Sequence, residues 1–230
     1  MYTITEVCII GERVSGTCFV QKLITENTRM KINTDYGHKH FYQDLKKMSR
    51  EDTKNILFIF ISRDIIEWLQ SFMVNTFHAD LPIRNCKDFS KFIRMEWKCI
   101  HDSTFNVPQS SKEYGSEMMF ERDPETGKRF QSVIHMRSSK NRHFMSIKDI
   151  VENFTHVQYE DVRDYPEHFI TALSKKYGIA IRKDFTPVTT VRGKGLTPYV
   201  RKNYPEISDV DAQYILENCD EEMEKELGYL

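Results

Sequence analysis

The 230-residue sequence lacks a long hydrophobic run. Its longest uninterrupted apolar stretch, residues 56–61, is far shorter than the roughly 20 residues that a membrane-spanning helix needs. The first ten residues have neither the basic region nor the small-residue cleavage site of a secretory signal. We therefore expect a cytoplasmic protein that does not engage a membrane.

Paired cysteine patterns are also absent. The five cysteines are an odd number and none are spaced as C-x-x-C, so neither a disulfide framework nor a zinc site is expected. His38 and His40 have no third ligand nearby in the sequence, and we expect no metal.

The charge excess of a nucleic-acid-binding protein is missing too. The formal net charge is -1, which argues against a nucleic-acid partner but leaves room for a local basic pocket that binds a small anion. The length and the 40% hydrophobic content are typical of one folded domain. We expect a single domain over residues 1–230.

Short apolar runs alternate with helical patterns along the chain. This alternation predicts an α/β domain of three layers, with a mostly parallel sheet and flanking helices. Gly178 is expected to end one helix, and Ser208 to begin the last. The predicted strands cover residues 6–10, 55–62 and 156–159, and the predicted helices cover residues 17–26, 65–74, 166–177 and 208–227.

The alternation breaks down between about residues 109 and 146, where we expect a polar insertion or lid. Residues 118–122 and 128–134 flank Asp123-Pro-Glu-Thr-Gly127, a typical hairpin turn, and residues 138–141 have the composition of a loop. The basic side chains here either meet an anionic acceptor or cofactor or form a solvated loop. They are Arg137, Lys140, Arg142 and His143.

A glycine-bounded turn follows the first predicted strand. Gly11 and Gly16 have the spacing of a Walker A loop, and a strand–turn–helix order presents backbone N–H groups to a phosphate. Thr17 replaces the Walker lysine, and Cys18 replaces the magnesium-binding hydroxyl. The loop therefore lacks the side chains with which a nucleotide hydrolase binds the β- and γ-phosphates and Mg²⁺. An ordinary strand-to-helix turn is the alternative.

Four segments follow one another along the chain: Arg13-Val-Ser-Gly-Thr17, residues 58–64 with Ser71, Tyr159-Glu-Asp161 and residues 191–195. In that order they resemble the 5′-phosphosulfate loop, the 3′-phosphate motif, the Tyr-Glu-Asp element and the basic glycine loop of sulfotransferases that use 3′-phosphoadenosine 5′-phosphosulfate (PAPS). The opening Gly11-Glu-Arg13, Gly37-His-Lys-His-Phe41 and the ending Leu227-Gly-Tyr229 are similar to a microbial and large-virus branch of that family. The resemblance implies a P-loop-like core, PAPS as sulfuryl donor, 3′-phosphoadenosine 5′-phosphate (PAP) as product, and no metal.

The resemblance also implies which residues form the site. His40 would be the general base, Lys39 a cation on the sulfuryl oxygens, and Arg13 a further catalytic cation. In the family the basic residue directly precedes the serine, whereas here that position is Val14. The residues implied to bind the cofactor are Arg13, Ser15, Gly16, Thr17, Cys18, Arg63, Ser71, Tyr159, Arg192, Gly193 and Lys194.

Each of these residues also has a structural interpretation. One of His38 and His40 could be a packed histidine on a strand, and Arg63 could pair with Glu67 on a helix surface. Tyr159 could contact adenine or pack in the core. The segment around Arg192 and Lys194 could be an exposed basic loop.

Three functions stay open at this stage. The first is transfer of a sulfuryl group to the hydroxyl or amine of a small-molecule or carbohydrate acceptor. The second is a diverged P-loop kinase or other nucleotide-binding protein, and the third is a PAP-binding module without catalysis. The sequence does not identify the acceptor or the oligomeric state.

Overall fold

A computed structural model describes residues 3–191, 195 and 197–230. The chain divides into two compact units. Residues 1–64 and 143–203 form the first, here called the sheet unit, and residues 65–142 and 204–230 form the second, the helical unit.

The sheet unit contains four parallel strands in the order β2-β1-β3-β4. Together with the helices that flank the sheet, they confirm the predicted α/β class. The strands are β1 (Glu6–Ile10), β2 (Lys31–Ile32), β3 (Ile56–Ser62) and β4 (Asn153–Gln158). The α-helices in the described residues are α1 (Thr17–Asn27), α2 (Ile65–Val74), α3 (Leu81–Arg84), α4 (Phe89–Phe92), α5 (Val133–Ser146), α6 (Tyr159–Asp164), α7 (Pro166–Tyr177), α8 (Asp209–Asn218) and α9 (Glu221–Glu226).

Strand β3 lies in the middle of the sheet and is buried along its whole length. Its residues alternate between two apolar faces, which explains why the run is hydrophobic without a break. Leu57, Ile59 and Ile61 join the core that contains residues of α1 and α7. On the other face, Phe58 packs 5.5 Å from the ring of Tyr36, centroid to centroid.

Glycines set the ends of two helices in the sheet unit. Helix α1 begins directly after Gly16, whose φ of 92° lies in the left-handed region. Helix α7 starts with Pro166 and ends at Gly178, whose φ is 67° and whose N–H donates to the carbonyl of Ser174 at 2.8 Å. The predicted C-cap is therefore confirmed.

The helical unit has an aromatic core. Phe72 packs between Trp68 and Trp97, with ring centroids 5.0 and 5.3 Å away, and both tryptophans are buried. Helix α2 has the predicted bounds. No helix in the described part of the chain is long and apolar enough to cross a bilayer.

The polar insertion predicted for residues 109–146 is wrong in its second half. Residues 133–146 form helix α5, and its side chains Arg137 and Lys140 are fully buried rather than solvated. Arg137 donates to both carboxylate oxygens of Glu224 at 3.0 and 2.9 Å, and Lys140 pairs with Glu121 at 2.7 Å. The carboxylate partners of these two side chains come from elsewhere in the chain. The sequence of α5 therefore predicts solvent-exposed side chains, although Arg137 and Lys140 are buried.

The hairpin predicted around residues 123–127 is present only as its turn. The N–H of Gly127 donates to the carbonyl of Asp123 at 2.8 Å, and the N–H of Asp123 donates to the carbonyl of Lys128 at 3.0 Å. The flanking segments are not paired strands: residues 119–121 form a 3-10 turn, and Phe130 makes an isolated bridge with Trp97.

The last predicted helix is two helices. Ser208 caps α8 as expected, since its side chain accepts the N–H of Asp211 at 3.1 Å. The chain leaves the helix at Cys219, and Asp220 then caps α9 by accepting the N–H of Met223 at 3.2 Å. The helical periodicity continues from residue 208 to residue 227, but Asp220 within it caps a new helix, so the predicted helix is divided there.

Candidate functional site

The loop between β1 and α1, residues 11–16, is held tightly against its surroundings. A Cβ on Gly11 would lie 2.4 Å from the carbonyl oxygen of Ile61, and one on Gly16 would lie 2.3 Å from Cδ2 of Tyr159. Val14 has a φ of 58°, a strained conformation for a β-branched residue. The loop therefore requires glycine at both ends and carries strain at its tip.

The end of this loop has the properties of an anion site. Helix α1 begins at Thr17 with no acidic side chain in its first turn, so its N-terminal N–H groups and dipole favour a negative charge. The Ser15 hydroxyl is buried and has no hydrogen-bond partner among the described residues. A buried polar group without a partner is unfavourable by about 1–3 kcal/mol, and a ligand oxygen would fit it.

Arg13 is held by the residue beside it. Its Nε donates to Oε1 of Glu12 at 2.6 Å, the same oxygen accepts the backbone N–H of Arg13 at 2.6 Å, and both side chains are buried. The guanidinium also lies 5.9 Å from the ring centroid of Phe41. The carboxylate of Glu12 therefore offsets the charge of Arg13 within the same loop.

The Lys39–His40 segment is hydrogen-bonded to the first residue of the loop. The N–H of Gly11 donates to the carbonyl of Lys39 at 3.0 Å, and the Nδ1 of His40 lies 2.7 Å from the carbonyl oxygen of Gly11. These residues lie in a turn, closed by a bond of 2.9 Å from the N–H of Phe41 to the carbonyl of His38. The alternative that His38 and His40 alternate along a strand is therefore wrong.

The contact with Gly11 fixes the tautomer of His40. A carbonyl oxygen only accepts, so Nδ1 carries the hydrogen and Nε2 presents a lone pair when the ring is neutral. Burial lowers the pKa of His40 well below its ordinary value of 6.5, so the ring is neutral at pH 7. In this state Nε2 can accept a proton.

Two further cations lie on residues that contact the loop or the start of α1. Lys39 Nζ is 3.1 Å from the sulfur of Cys18, in the first turn of α1. Arg63, directly after β3, donates from Nη1 to the carbonyl of Val14 at 3.2 Å, and its guanidinium lies 4.9 Å from the ring centroid of Tyr159.

Tyr159 links this region to the core. It is buried with the apolar side chains around α1, and its ring lies against Gly16. Its hydroxyl is 3.0 Å from that of Tyr199, and burial raises the pKa of Tyr159. The structure therefore shows Tyr159 as a packed residue that also supports the loop.

The sheet unit contains most of the residues expected in the site. Ser71 belongs to α2 of the helical unit, where it is buried and its carbonyl accepts from Asn75 Nδ2 at 3.3 Å. Arg192, Gly193 and Lys194 lie outside the described residues. The expected residues that the sheet unit gathers around the loop are Arg13, Ser15, Gly16, Thr17, Cys18, Lys39, His40, Arg63 and Tyr159.

Three features of the site were missed at the level of sequence. Glu12 offsets Arg13, and the adjacency of the two charges was a usable signal. Tyr199 bonds to a residue 40 positions away, for which the sequence has no pattern. The hydroxyl of Ser62, at the carboxyl end of β3, lies 2.7 Å from Nε2 of His156 on β4, and only the strand register brings the two together.

The fold and the geometry define an α/β protein with a glycine-bounded loop between β1 and α1 and a neutral histidine that is hydrogen-bonded to the first residue of that loop. Comparison of the sequence with models of known protein families and with curated proteins finds no match to either.

Proposed function

We propose that the protein is a cytoplasmic sulfotransferase with a P-loop-like core, which moves the sulfuryl group of PAPS to a hydroxyl or amine of a small-molecule or carbohydrate acceptor. The observation that carries the proposal is the buried Ser15 hydroxyl at the start of α1, on a loop whose first residue binds His40. The loop supplies an anion site, and the histidine supplies a base.

The charges around the loop suit a phosphosulfate. The N-terminus of α1, the ammonium of Lys39 and the guanidinium of Arg63 all carry positive charge near residues 14–18. Arg13 is offset by Glu12, so we assign it to holding the loop more than to direct contact with the donor. The roles of Ser71 and of Arg192, Gly193 and Lys194 stay predictions.

Within this proposal each residue has a defined task. PAPS supplies the sulfuryl group: the acceptor oxygen or nitrogen forms a new bond to sulfur, and the bond from sulfur to the phosphate oxygen breaks as PAP leaves with its electron pair. His40 accepts the acceptor proton on Nε2 because its Nδ1–H is fixed on Gly11. Lys39 and the first turn of α1 stabilise developing negative charge.

Ligand binding separates this proposal from a diverged kinase or nucleotide hydrolase. Thermal shifts of the full chain are measured with PAP, PAPS, ATP with Mg²⁺, and GTP with Mg²⁺. We expect PAP and PAPS to raise the melting temperature without added metal. Stabilisation by ATP or GTP with Mg²⁺ but not by PAP would overturn the proposal.

Two variants sharpen the test. Arg63→Ala should weaken PAP binding by about tenfold or more, the loss of a charge-assisted hydrogen bond. Arg50→Ala is the matched control, because it removes an exposed guanidinium of the same unit whose contact to Glu152 is 3.9 Å. Equal losses in the two variants would remove Arg63 from the donor site.

Turnover distinguishes the enzyme from a PAP-binding module without catalysis. His40→Gln should keep PAP binding and lose release of PAP from PAPS in the presence of a panel of hydroxyl and amine acceptors. If PAP binds to both proteins and neither the wild type nor the variant turns over any acceptor, the module is the better description.

A further inference from the structure

A cavity in the sheet unit shares part of its wall with the surroundings of the loop. Its volume is about 630 Å³, within the range of small-molecule sites. Residues 32–39 form most of the wall. Lys39 is the last of these residues, and Gln21, which lies three residues after Cys18 on α1, lines the cavity as well. A molecule in the cavity would therefore contact Lys39, one of the residues assigned to catalysis.

The two carboxylates that line this cavity differ in their partners. Asp44 pairs with Lys47 at 3.2 Å, so this end of the wall is neutral. Asp35 makes no ion pair with a lysine or arginine in the described part of the chain. Negative charge therefore lies at the Asp35 end.

A second carboxylate adds to that charge. The amide of Asn33 donates from Nδ2 to Oε2 of Glu6 at 2.7 Å and to Oδ2 of Asp35 at 3.3 Å. Glu6, like Asp35, has no basic partner among residues 3–191, 195 and 197–230. A neutral amide thus bridges two carboxylates whose charges it does not cancel.

The wall beside these carboxylates is aromatic. Tyr36 and Tyr42 both line the cavity. Burial raises the pKa of Tyr36, and Asp35, Asp52 and Glu6 raise it further. Asp35, the nearer carboxylate in sequence, has the largest effect of these charged groups on the Tyr36 hydroxyl. An aromatic wall next to uncompensated carboxylates favours an organic cation.

We propose that this cavity is the acceptor site and that it takes a polyhydroxylated molecule carrying a protonated amine, such as an amino sugar. The ammonium binds at Asp35, beside Tyr36, where the carboxylate of Glu6 behind Asn33 adds negative charge, and a hydroxyl at the Lys39 end is the group presented to His40. The acceptor role rests on the proposed function, whereas binding of the amine does not.

Binding is tested on the full chain without nucleotide, by saturation-transfer NMR and calorimetry. Glucosamine is compared with glucose and with glucuronate, which have a similar ring but no positive charge. We expect glucosamine to bind at least about tenfold more tightly than either, the size of one charge-assisted hydrogen bond. Added salt should weaken glucosamine binding and leave glucose unaffected.

The matched variants are Asp35→Asn and Asp44→Asn. Asp35→Asn should reduce glucosamine affinity by about tenfold, while Asp44→Asn, which removes the carboxylate paired with Lys47, should change it less than about twofold. If Asp35→Asn does not fold, the salt dependence of glucosamine binding to the wild type decides whether a charged contact holds the amine.

Several results would overturn the proposal. They are equal binding of the three sugars, no binding of glucosamine, and equal effects of the two variants. Binding of Ca²⁺ alone that depends on Asp35, without glucosamine binding, would identify a metal site instead. If PAP fails to bind while glucosamine binds, the proposed function and the acceptor role fail together, and the cavity remains an amine site.

Discussion

The helical unit and the sheet unit both bury basic side chains, but they give them different partners. In the helical unit, Arg137 and Lys140 of α5 each meet a carboxylate from a distant part of the sequence. In the sheet unit, the buried Arg13 meets the adjacent Glu12, and the half-buried Lys39 donates to a thiol rather than to a carboxylate. The two pairs of the helical unit hold α5 against α9 and against the 3-10 turn at residues 119–121, whereas the contacts in the sheet unit hold the loop and the first turn of α1.

This comparison shows that a buried charge does not by itself indicate function. A cation whose charge is cancelled by a carboxylate at full burial has little left to offer a ligand. A cation held by neutral groups keeps its electrostatic attraction for an anion. The chemistry of the partner therefore separates the structural basic residues of α5 from Lys39.

Breaking a pair in the helical unit should have the largest effect on stability. Glu224→Ala leaves Arg137 buried without its carboxylate, and we expect a loss of about 3–5 kcal/mol in the free energy of unfolding. Urea unfolding followed by tryptophan fluorescence measures this, since both tryptophans lie in the helical unit. The exposed neighbour Glu222→Ala is the control and should change stability by less than about 0.5 kcal/mol.

A loss of less than about 1 kcal/mol in Glu224→Ala would contradict the comparison, because it would mean that Arg137 is not held by this pair. PAP binding by the folded fraction should be unchanged. A selective loss of PAP binding would instead assign Arg137 to the donor site.

Adding one methyl group at the loop should have the next largest effect. Gly16→Ala places a Cβ 2.3 Å from the Tyr159 ring, at a φ of 92°, so either the ring or the loop must move. We expect a stability loss of about 1–3 kcal/mol together with a loss of PAP affinity of at least about tenfold. Thermal unfolding and PAP titration measure the two effects.

Gly178→Ala is the control for Gly16→Ala, because it introduces backbone strain without a contact to the Tyr159 ring. Gly178 also has a positive φ, 67°, but a Cβ there would meet no atom within 4 Å. Its replacement should reduce stability by about 1–2 kcal/mol and leave PAP affinity unchanged. Equal PAP affinities in the two variants would show that Tyr159 and the loop do not need this close packing.

The half-buried His40 should make stability depend on pH. The pKa of His40 is lowered well below 6.5 in the folded protein, so the unfolded chain binds its proton first as the pH falls. Stability is therefore fully present above about pH 6.5 and declines as the pH drops toward the folded pKa. Urea midpoints between about pH 8 and pH 5 should fall less in His40→Gln than in the wild type.

The variant should keep part of the slope, because burial lowers the pKa of His135 as well. Identical slopes in His40→Gln and the wild type would show that the pKa of His40 is not lowered by folding. The neutral, proton-accepting state assigned to His40 at pH 7 would then lose its support.

Much of the sheet unit could be predicted because local patterns determine it. Strand β3 is a continuous apolar run, and α1, α2 and α7 follow helical spacing. Strand β2 was missed, since two residues, one of them a lysine, carry no apolar signature and are held only by pairing with β1.

Helix α5 was missed for a different reason. Its polar residues include Arg137 and Lys140, and the carboxylates that allow their burial are 87 and 19 residues away. Hydrophobic periodicity cannot show such compensation, because it scores each charged residue as exposed. A helix whose charges are all matched elsewhere is therefore interpreted from its sequence as a loop.

The sequence suggested residues for a candidate site but not their arrangement. The glycine spacing indicated the loop, and the Lys39–His40 pair indicated a base with a cation. That the two segments bond through Gly11 follows only from the fold. The same holds for the cavity, because its lining comes from separate elements of the sheet unit.

The smallest effects should come from removing one serine hydroxyl in each unit. Removal of the Ser15 hydroxyl should lower PAP affinity but not stability, and removal of the Ser132 hydroxyl should do the reverse. Ser15→Ala removes a buried hydroxyl that has no partner among the described residues, so stability should stay the same or rise slightly. PAP affinity should fall by about two- to tenfold, the value of one hydrogen bond. Thermal unfolding and PAP titration of the same samples separate the two outcomes.

Ser132→Ala is the counterpart in the helical unit. Its buried hydroxyl lies 2.9 Å from Nδ1 of His135 and accepts the N–H of Ile134 at 3.2 Å, so its removal should reduce stability by about 1 kcal/mol. PAP affinity should not change. If Ser15→Ala instead loses stability as Ser132→Ala does and keeps its PAP affinity, then Ser15 is a structural residue. The difference between the units would then rest on Lys39 and His40 alone.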